Sequence, residues 1–395
     1  MKILQGIKVL DFSRVLAGPY ATMILADYGA EVTKVEIPGT GDDSRAFGPF
    51  LNGHSLYFAN VNRGKKSMTL NLKSPAAREI VEKLVRQADV VVENFRPETM
   101  EKLGQGYDDL KKINEKIIYG CSSGFGHTGV WSKKPAYDPV IQAISGFMSV
   151  TGPEHGEPTK AGPSIMDLLS GILLAKGILA ALYARDRFGI GQKVDVSMLD
   201  CGVSILEGAM LIYLASGQSP SPIGNRHPSA TPVDAFQGSD GRHFVISIGN
   251  DHLWAAFCTV LKHEELIADG RFATNELRTA NQKQLKTILT GQFAIRPTAE
   301  WLELLDQAGI PCAPVNNMAD VYQLKELKER NMFVEVENEE YGKHTLIGPA
   351  VKFSETPAAI QGAAPPLGRH TFEVLKEQLG YTDEQIAQLA ADKVI

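Results

Sequence analysis

The first 130 residues alternate short β-branched apolar runs with segments whose apolar positions recur at helical spacing. Lys8 to Phe12 and Glu31 to Glu36 read as strands, Tyr20 to Tyr28 between them as a helix, and Met68 to Leu72 as the next strand. From Pro75 to Ala88, residues Ala77, Ile80, Val81, Leu84 and Val85 make one apolar face, opposite Arg78, Glu79, Glu82, Lys83 and Arg86. Ser74 is placed to cap that helix and Pro75 suits its first turn. The run from Val90 to Val92 is apolar without interruption, as in a strand covered on both faces. This rhythm predicts a large α/β domain with a Rossmann-like parallel sheet.

Two later stretches, Leu168 to Ala184 and Leu199 to Gly217, are apolar on nearly all sides. Lys176 interrupts the first, Asp200 and Glu207 the second, and a membrane span needs about 20 mostly uncharged residues. They are expected to be buried helices, covered by protein at a central position or a subunit interface. After Gly217, SGQSPSPIGNRHPSATPVDAF lacks periodicity and is rich in Ser, Pro and Gly, which predicts a linker into a smaller α+β domain. That domain opens with strands around Ala235-Phe236 and His243 to Ile248, joined by GSDGR, and a helix from His252.

Composition narrows the function classes. Hydrophobic residues make up 44% and charged residues 22% of 395, values of a large globular protein. A net charge of -6, with no dense Lys/Arg run, argues against nucleic acid or a membrane surface as partner, so small molecules are the expected ligands. Cys121, Cys201, Cys258 and Cys312 show neither CxxC nor Cys/His spacing and read as reduced thiols, so no metal site is expected. The N-terminus enters a strand directly, without a signal-peptide pattern, which predicts a cytoplasmic protein.

No GxGxxG follows the first strand, where VLAGPYA carries a single glycine, and no Walker A sequence occurs. A nicotinamide dehydrogenase and a nucleotide hydrolase are therefore disfavoured. Ligands of open α/β sheets bind beyond the carboxyl ends of strands, which places Asn94, Phe95 and Arg96 where a nucleotide would sit; a turn capped by asparagine before Pro97 is the other reading. Asp167 stands at the mouth of the first long apolar helix. It is either an N-terminal cap or a reactive carboxylate, kept ionised by helix amides and kept dry by Ile165, Met166, Leu168 and Leu169.

The segment GPSIMDLLSGILLAKGILAALYARDRFGIGQKVDVSMLD around Asp167 resembles the class III coenzyme A transferases, the CaiB/BaiF family of formyl-CoA transferase and carnitine CoA-transferase. So do, in order, IKVLDFSRVLAGPYATMILADYGAEVTKVE, TLNLKSP, ADVVVENFRPETMEKLG, AGIPCAPVNNMADV and PLGRHTFEVLKEQLG, nearly end to end. The resemblance implies transfer of CoA from an acyl-CoA to a small carboxylic acid through covalent intermediates on Asp167, with coenzyme A as substrate and no tightly bound cofactor. It implies an interlocked homodimer and a return of the chain to the large domain at 310–395, which with the change of character after Gly217 divides the chain into 1–217, a linker and small domain at 218–309, and 310–395. Carried over by position, Leu16, Ala17, Leu70, Lys73, Asn94, Phe95, Arg96, Lys102 and Tyr137 fall where the family contacts CoA. Lys73 and Lys102 read equally as solvated lysines.

The sequence departs from formyl-CoA transferase, which has arginine where Ile37 and Lys102 stand and lysine where Pro135 stands; Arg45, Lys66, Lys133 or Lys134 are the nearby substitutes for phosphate contact. Asp138 occupies a position held there by Glu, so it is either an auxiliary carboxylate or a cap before Pro139. Related α-methylacyl-CoA racemases carry His-Asp where Tyr137-Asp138 stand, and tyrosine is a poor base at neutral pH, which favours transfer over epimerisation. A CoA-binding paralog without catalysis is the third reading. His127 reads as a loop histidine, and Arg226, His227, Asn250 and His252 lie in segments that build the family's substrate pocket, with Arg226 suited to a second carboxylate.

Overall fold

The computed structural model describes residues 1–395. Six strands, β1 (Lys8–Asp11), β2 (Glu31–Glu36), β3 (Lys66–Thr69), β4 (Val90–Glu93), β5 (Ile118–Ser123) and β6 (Lys193–Ser197), form one sheet. All neighbours run parallel, in the order β3-β2-β1-β4-β5-β6. The chain thus winds outward from β1 in one direction and from β4 in the other. The gap between their carboxyl ends is the topological switch point, where doubly wound sheets bind ligands.

Both faces of the sheet are covered, for the reason visible in β4. Val90 and Val92 pack with Val9, Ala21, Leu25, Leu174 and Ile178, while Val91 points into the opposite layer with Leu10, Ile80, Val81, Leu84 and Leu375. Helix α1 (Ala17–Asp27) and helix α2 (Pro75–Val85) come from these layers. Pro75 is at the start of α2 as expected, but Ser74 makes no side-chain capping bond. The third strand begins at Lys66 and ends at Thr69, earlier than its apolar residues suggest, because pairing with β2 runs from Thr33–Lys66 to Glu36–Thr69.

Helix α3 (Asp138–Ile144) precedes the 24-residue α4 (Ile165–Phe188). By length and apolarity α4 could cross a membrane, yet it packs against α1 and β5, with Ile178 within 2.9 Å of where a Gly120 Cβ would stand. The Leu199–Gly217 stretch is not one buried helix. It is α5 (Met198–Ser204) and α6 (Glu207–Ser216), broken where Glu207 takes φ 44. No residue of α6 is buried, and Leu214 is 70% exposed.

Two compact units emerge. The first comprises Met1–Phe147, Ala161–Glu207 and Lys325–Ile395 and holds the parallel sheet; the second comprises Met148–Lys160 and Gly208–Leu324. Within the second, β7 (Val233–Gln237) and β8 (His243–Ser247) pair antiparallel as a hairpin, β9 (Cys312–Pro314) adds to β8, and α7 (Asp251–Leu261) follows the hairpin. Its own core centres on Trp254, Phe257, Phe293 and Trp301.

Candidate active site

At the switch point a buried ionic network underlies the loop that leaves β1. Lys65 meets Asp11 at 3.1 Å, Lys34 meets Asp42 at 2.8 Å, and Arg45 grips Glu36 at 2.8 Å. Burial opposes ionisation of Asp42, but the Lys34 ammonium and the Ser44 hydrogen bonds outweigh it and hold its carboxyl at about 2. Burial lowers Lys65 to about 8, with Asp11 partly offsetting the effect.

Above this network, Asn94 clasps the loop. Its Oδ1 accepts the N–H of Arg14 at 2.8 Å and its Nδ2 donates to the Arg14 carbonyl at 2.8 Å, while the Arg14 guanidinium lies 5.6 Å from the Phe95 ring centre. Of the two readings for Asn94, the asparagine cap before Pro97 is therefore not its role. Leu16 and Ala17 follow at the start of α1, both buried.

This turn and Asp167 are neighbours. A Cβ added to Gly171, four residues beyond Asp167 on α4, would come within 2.7 Å of the Ala17 carbonyl oxygen and 3.2 Å of the Tyr20 Cβ. Only a residue without a side chain lets the two helices approach so closely. Leu16, Tyr20 and Tyr57, with Ser164 and Leu168 on either side of Asp167, line a cavity of about 770 Å³ in the first unit.

Asp167 sits in the first turn of α4, part-buried. Asp138 is 4% exposed, and its Oδ1 accepts the N–H of Met166 at 2.7 Å while its Oδ2 accepts from Gln142 Nε2 at 2.6 Å. Asp138 thus caps α4, the helix that carries Asp167, from outside it. Gln142, fully buried, also receives the Ala161 N–H at 2.8 Å, which ties down the approach to α4. Burial, and secondly the charge of Asp138, raise Asp167 to about 7. Helix amides are expected to help keep Asp167 ionised, but Asp138 holds the Met166 amide, and burial together with the Asp138 charge pushes the Asp167 carboxyl up. The same group of carboxylates, after burial, pushes Tyr57 up to about 12.

The other expected contacts divide. Lys73 and Arg96 are exposed at the surface, Tyr137 is 77% exposed, and Leu70 is buried in the core layer with α2. Lys102 lies 3.5 Å and Lys133 2.6 Å from Glu98, Lys66 is paired with Glu373, and Lys134 stands over the Trp131 ring. In the second unit Arg226 is already engaged by Glu154 at 2.9 Å and by the Ile223 carbonyl. His227 Nδ1 accepts the Ser229 N–H, Asn250 caps α7 through the Leu253 N–H, and His252 is exposed on the first turn of α7.

His127 is more than a loop residue. Its backbone N–H binds Asp195, Lys193 Nζ stands 3.0 Å from its Nδ1, and its Nε2 faces Glu93 at 3.4 Å. A carboxylate oxygen of Glu93, Cys121 Sγ and a ring nitrogen of His127 lie within 4.8 Å of one another, the spacing of a metal site. The donor set does not fit one. An ammonium against Nδ1 leaves the ring proton on Nε2, which then offers no lone pair. Burial and the Glu93 charge also hold the Cys121 thiol far above its ordinary range. Glu93, raised to about 8 by burial, instead accepts the Phe95 N–H at 2.7 Å beneath the Asn94 turn.

The sequence profile of CoA-transferase family III matches residues 4–371. The chain belongs to that family. It is 46% identical to the acetyl-CoA:oxalate CoA-transferase of Acetobacter aceti over 84% of this chain and 85% of that protein. It is 41% identical to the succinyl-CoA:glutarate CoA-transferase of Mus musculus over 100% of this chain and 91% of that one. A CaiB/BaiF family protein from Brucella suis superposes with a TM-score of 0.86 at 37% identity, covering 95% of this chain and 99% of that one. The family III chain is thus a CoA-transferase, with CoA thioesters as substrates.

Proposed function

We propose that this CoA-transferase carries its acyl and CoA groups on Asp167 and that its acceptor is a small dicarboxylic acid. In the first step an Asp167 oxygen attacks the thioester carbonyl, the C–S bond breaks, and CoA leaves as thiolate with an aspartyl mixed anhydride behind it. The thiolate then attacks the aspartyl carbonyl, which frees the donor acid and leaves an aspartyl-CoA thioester. The acceptor carboxylate repeats the sequence in reverse and regains CoA as its own thioester. No net hydrolysis occurs if water is kept out.

The observation that carries this reading is the contact between Gly171 and the Ala17 carbonyl, because it sets Asp167 one helical turn from the Leu16–Ala17 turn at the switch point. The dicarboxylate class is supported by the relatives named for oxalate and glutarate. Arg226 is engaged by Glu154, so recognition of a second carboxylate by Arg226 requires that ion pair to exchange. Leu211, Ile212, Tyr213 and Leu214 on the uncovered α6 support an association of two chains in the working enzyme.

The test is acid quenching during turnover with succinyl-CoA and glutarate, followed by peptide mass spectrometry. A CoA adduct on the peptide containing Asp167 is expected, and hydroxylamine should trap it with loss of activity. Exchange of an α-proton with deuterated water and no adduct would establish epimerisation instead; turnover with neither signal would overturn Asp167 as the carrier.

A further inference from the structure

Val15 occupies the left-handed region of backbone space with φ 67. A β-branched residue is strained there and persists only where its surroundings over-determine it. Two groups do so. Asp42 accepts the Val15 N–H through both carboxylate oxygens, at 3.0 and 3.3 Å, and is itself held by the Lys34 ammonium and by the Ser44 amide and hydroxyl. Asn94 fixes both backbone polar groups of Arg14, the residue before. Gly18 closes the arrangement, since a Cβ there would lie 3.3 Å from Asn94 Cγ and collide with the Ser13 side chain.

Glycine would form this turn without strain, so the strain is not needed merely to reverse the chain. It is stored at the switch point, immediately before Leu16 and Ala17, two residues from the carbonyl that abuts Gly171.

We propose that Asn94 and Asp42 are positioning residues that hold Val15 in its left-handed conformation and thereby preset the Arg14–Ala17 turn to receive the thioester arm of CoA. Asn94 thus contributes to CoA binding through the shape of the turn and not through a contact of its own carboxamide. The inference rests on the reading of that turn as the CoA site.

Isothermal titration with coenzyme A separates these roles. In the wild-type background, Asn94→Ala releases the clasp, Val15 relaxes to negative φ, and affinity should fall by roughly tenfold, about 1.4 kcal/mol. In a Val15→Gly background the backbone keeps the left-handed conformation without help, so the same substitution should cost no more than about threefold. The KM for acyl-CoA should follow the same pattern while kcat changes less. A direct contact with CoA predicts an equal loss in both backgrounds, and that result overturns the proposal. If Asn94→Ala does not fold, Asn94→Ser alone and with Val15→Gly gives the same comparison. A wild-type chain that binds no CoA overturns the site reading together with this inference; binding with equal losses overturns the inference alone.

Discussion

The carboxylate of Asp138 accepts the backbone N–H of Met166 at 2.7 Å, so the acid that caps α4 stands against the residue just before Asp167. One contact thereby secures the helix and places a carboxylate next to Asp167. The two effects separate under mutation.

Asp138→Asn keeps an oxygen for Met166 and removes the charge. The Asp167 carboxyl should fall from about 7, and the acid limb of the kcat/KM profile should move to lower pH. Asp138→Ala should lower stability by about 1 kcal/mol, the usual worth of a helix cap. Initial rates from pH 5 to 9, alongside urea denaturation, check both. An unmoved acid limb in Asp138→Asn would show that the charge does not reach Asp167.

Asp167→Asn should abolish transfer and leave CoA affinity nearly unchanged. It should also stabilise the fold in a pH-dependent way. Asp167 is raised from 3.8 to about 7, so between those values the folded chain keeps a proton that the unfolded chain has lost. Wild-type stability therefore declines as pH rises through this window. Asp167→Asn escapes that loss and should gain stability at pH 8 but not at pH 4, as read by thermal melts.

Gly171→Ala places a Cβ 2.7 Å from the Ala17 carbonyl oxygen, a backbone atom that cannot step aside. The two helices must separate, at about 1–3 kcal/mol of overpacking, and kcat/KM should fall at least tenfold. Gly208→Ala, which meets nothing within 4 Å, is the control and should be tolerated.

Lys65→Met leaves Asp11 buried beneath α1 with Lys34 as its remaining cation. Losing one member of a buried pair costs about 3–5 kcal/mol, which equilibrium unfolding should detect. Because Lys65 is lowered from 10.5 to about 8, the wild-type fold binds fewer protons than the unfolded chain in that interval, and its stability should rise with pH there.

Much of the sheet was legible because its strands carry their own signature: the uninterrupted Val90–Val92 run does face protein on both sides. The switch-point placement of Asn94 and Phe95 followed from the same pattern, as did the position of Asp167 in the first turn of its helix. The role of Asn94 did not, because its partner Arg14 lies 80 residues away and nothing local marks the pairing. Gly171, Tyr57 and Asp42 were missed for the same reason; Gln142 was missed although its partner Asp138 lies four residues away on α3. The SGI step around Gly171 breaks an otherwise aliphatic helix and is the one local signal that could have drawn notice. Apolarity alone did not reveal the break before Glu207 in Leu199–Gly217, nor that α6 lacks cover within the chain, since it reports what wants cover and not whether the same chain supplies it.

The backbone passes between its two compact units four times, at 147/148, 160/161, 207/208 and 324/325. Neither unit is therefore a contiguous fragment that a gene truncation could isolate. A single protease nick in any one passage leaves three covalent tethers intact, so nicked enzyme should migrate as fragments in denaturant yet remain assembled without it.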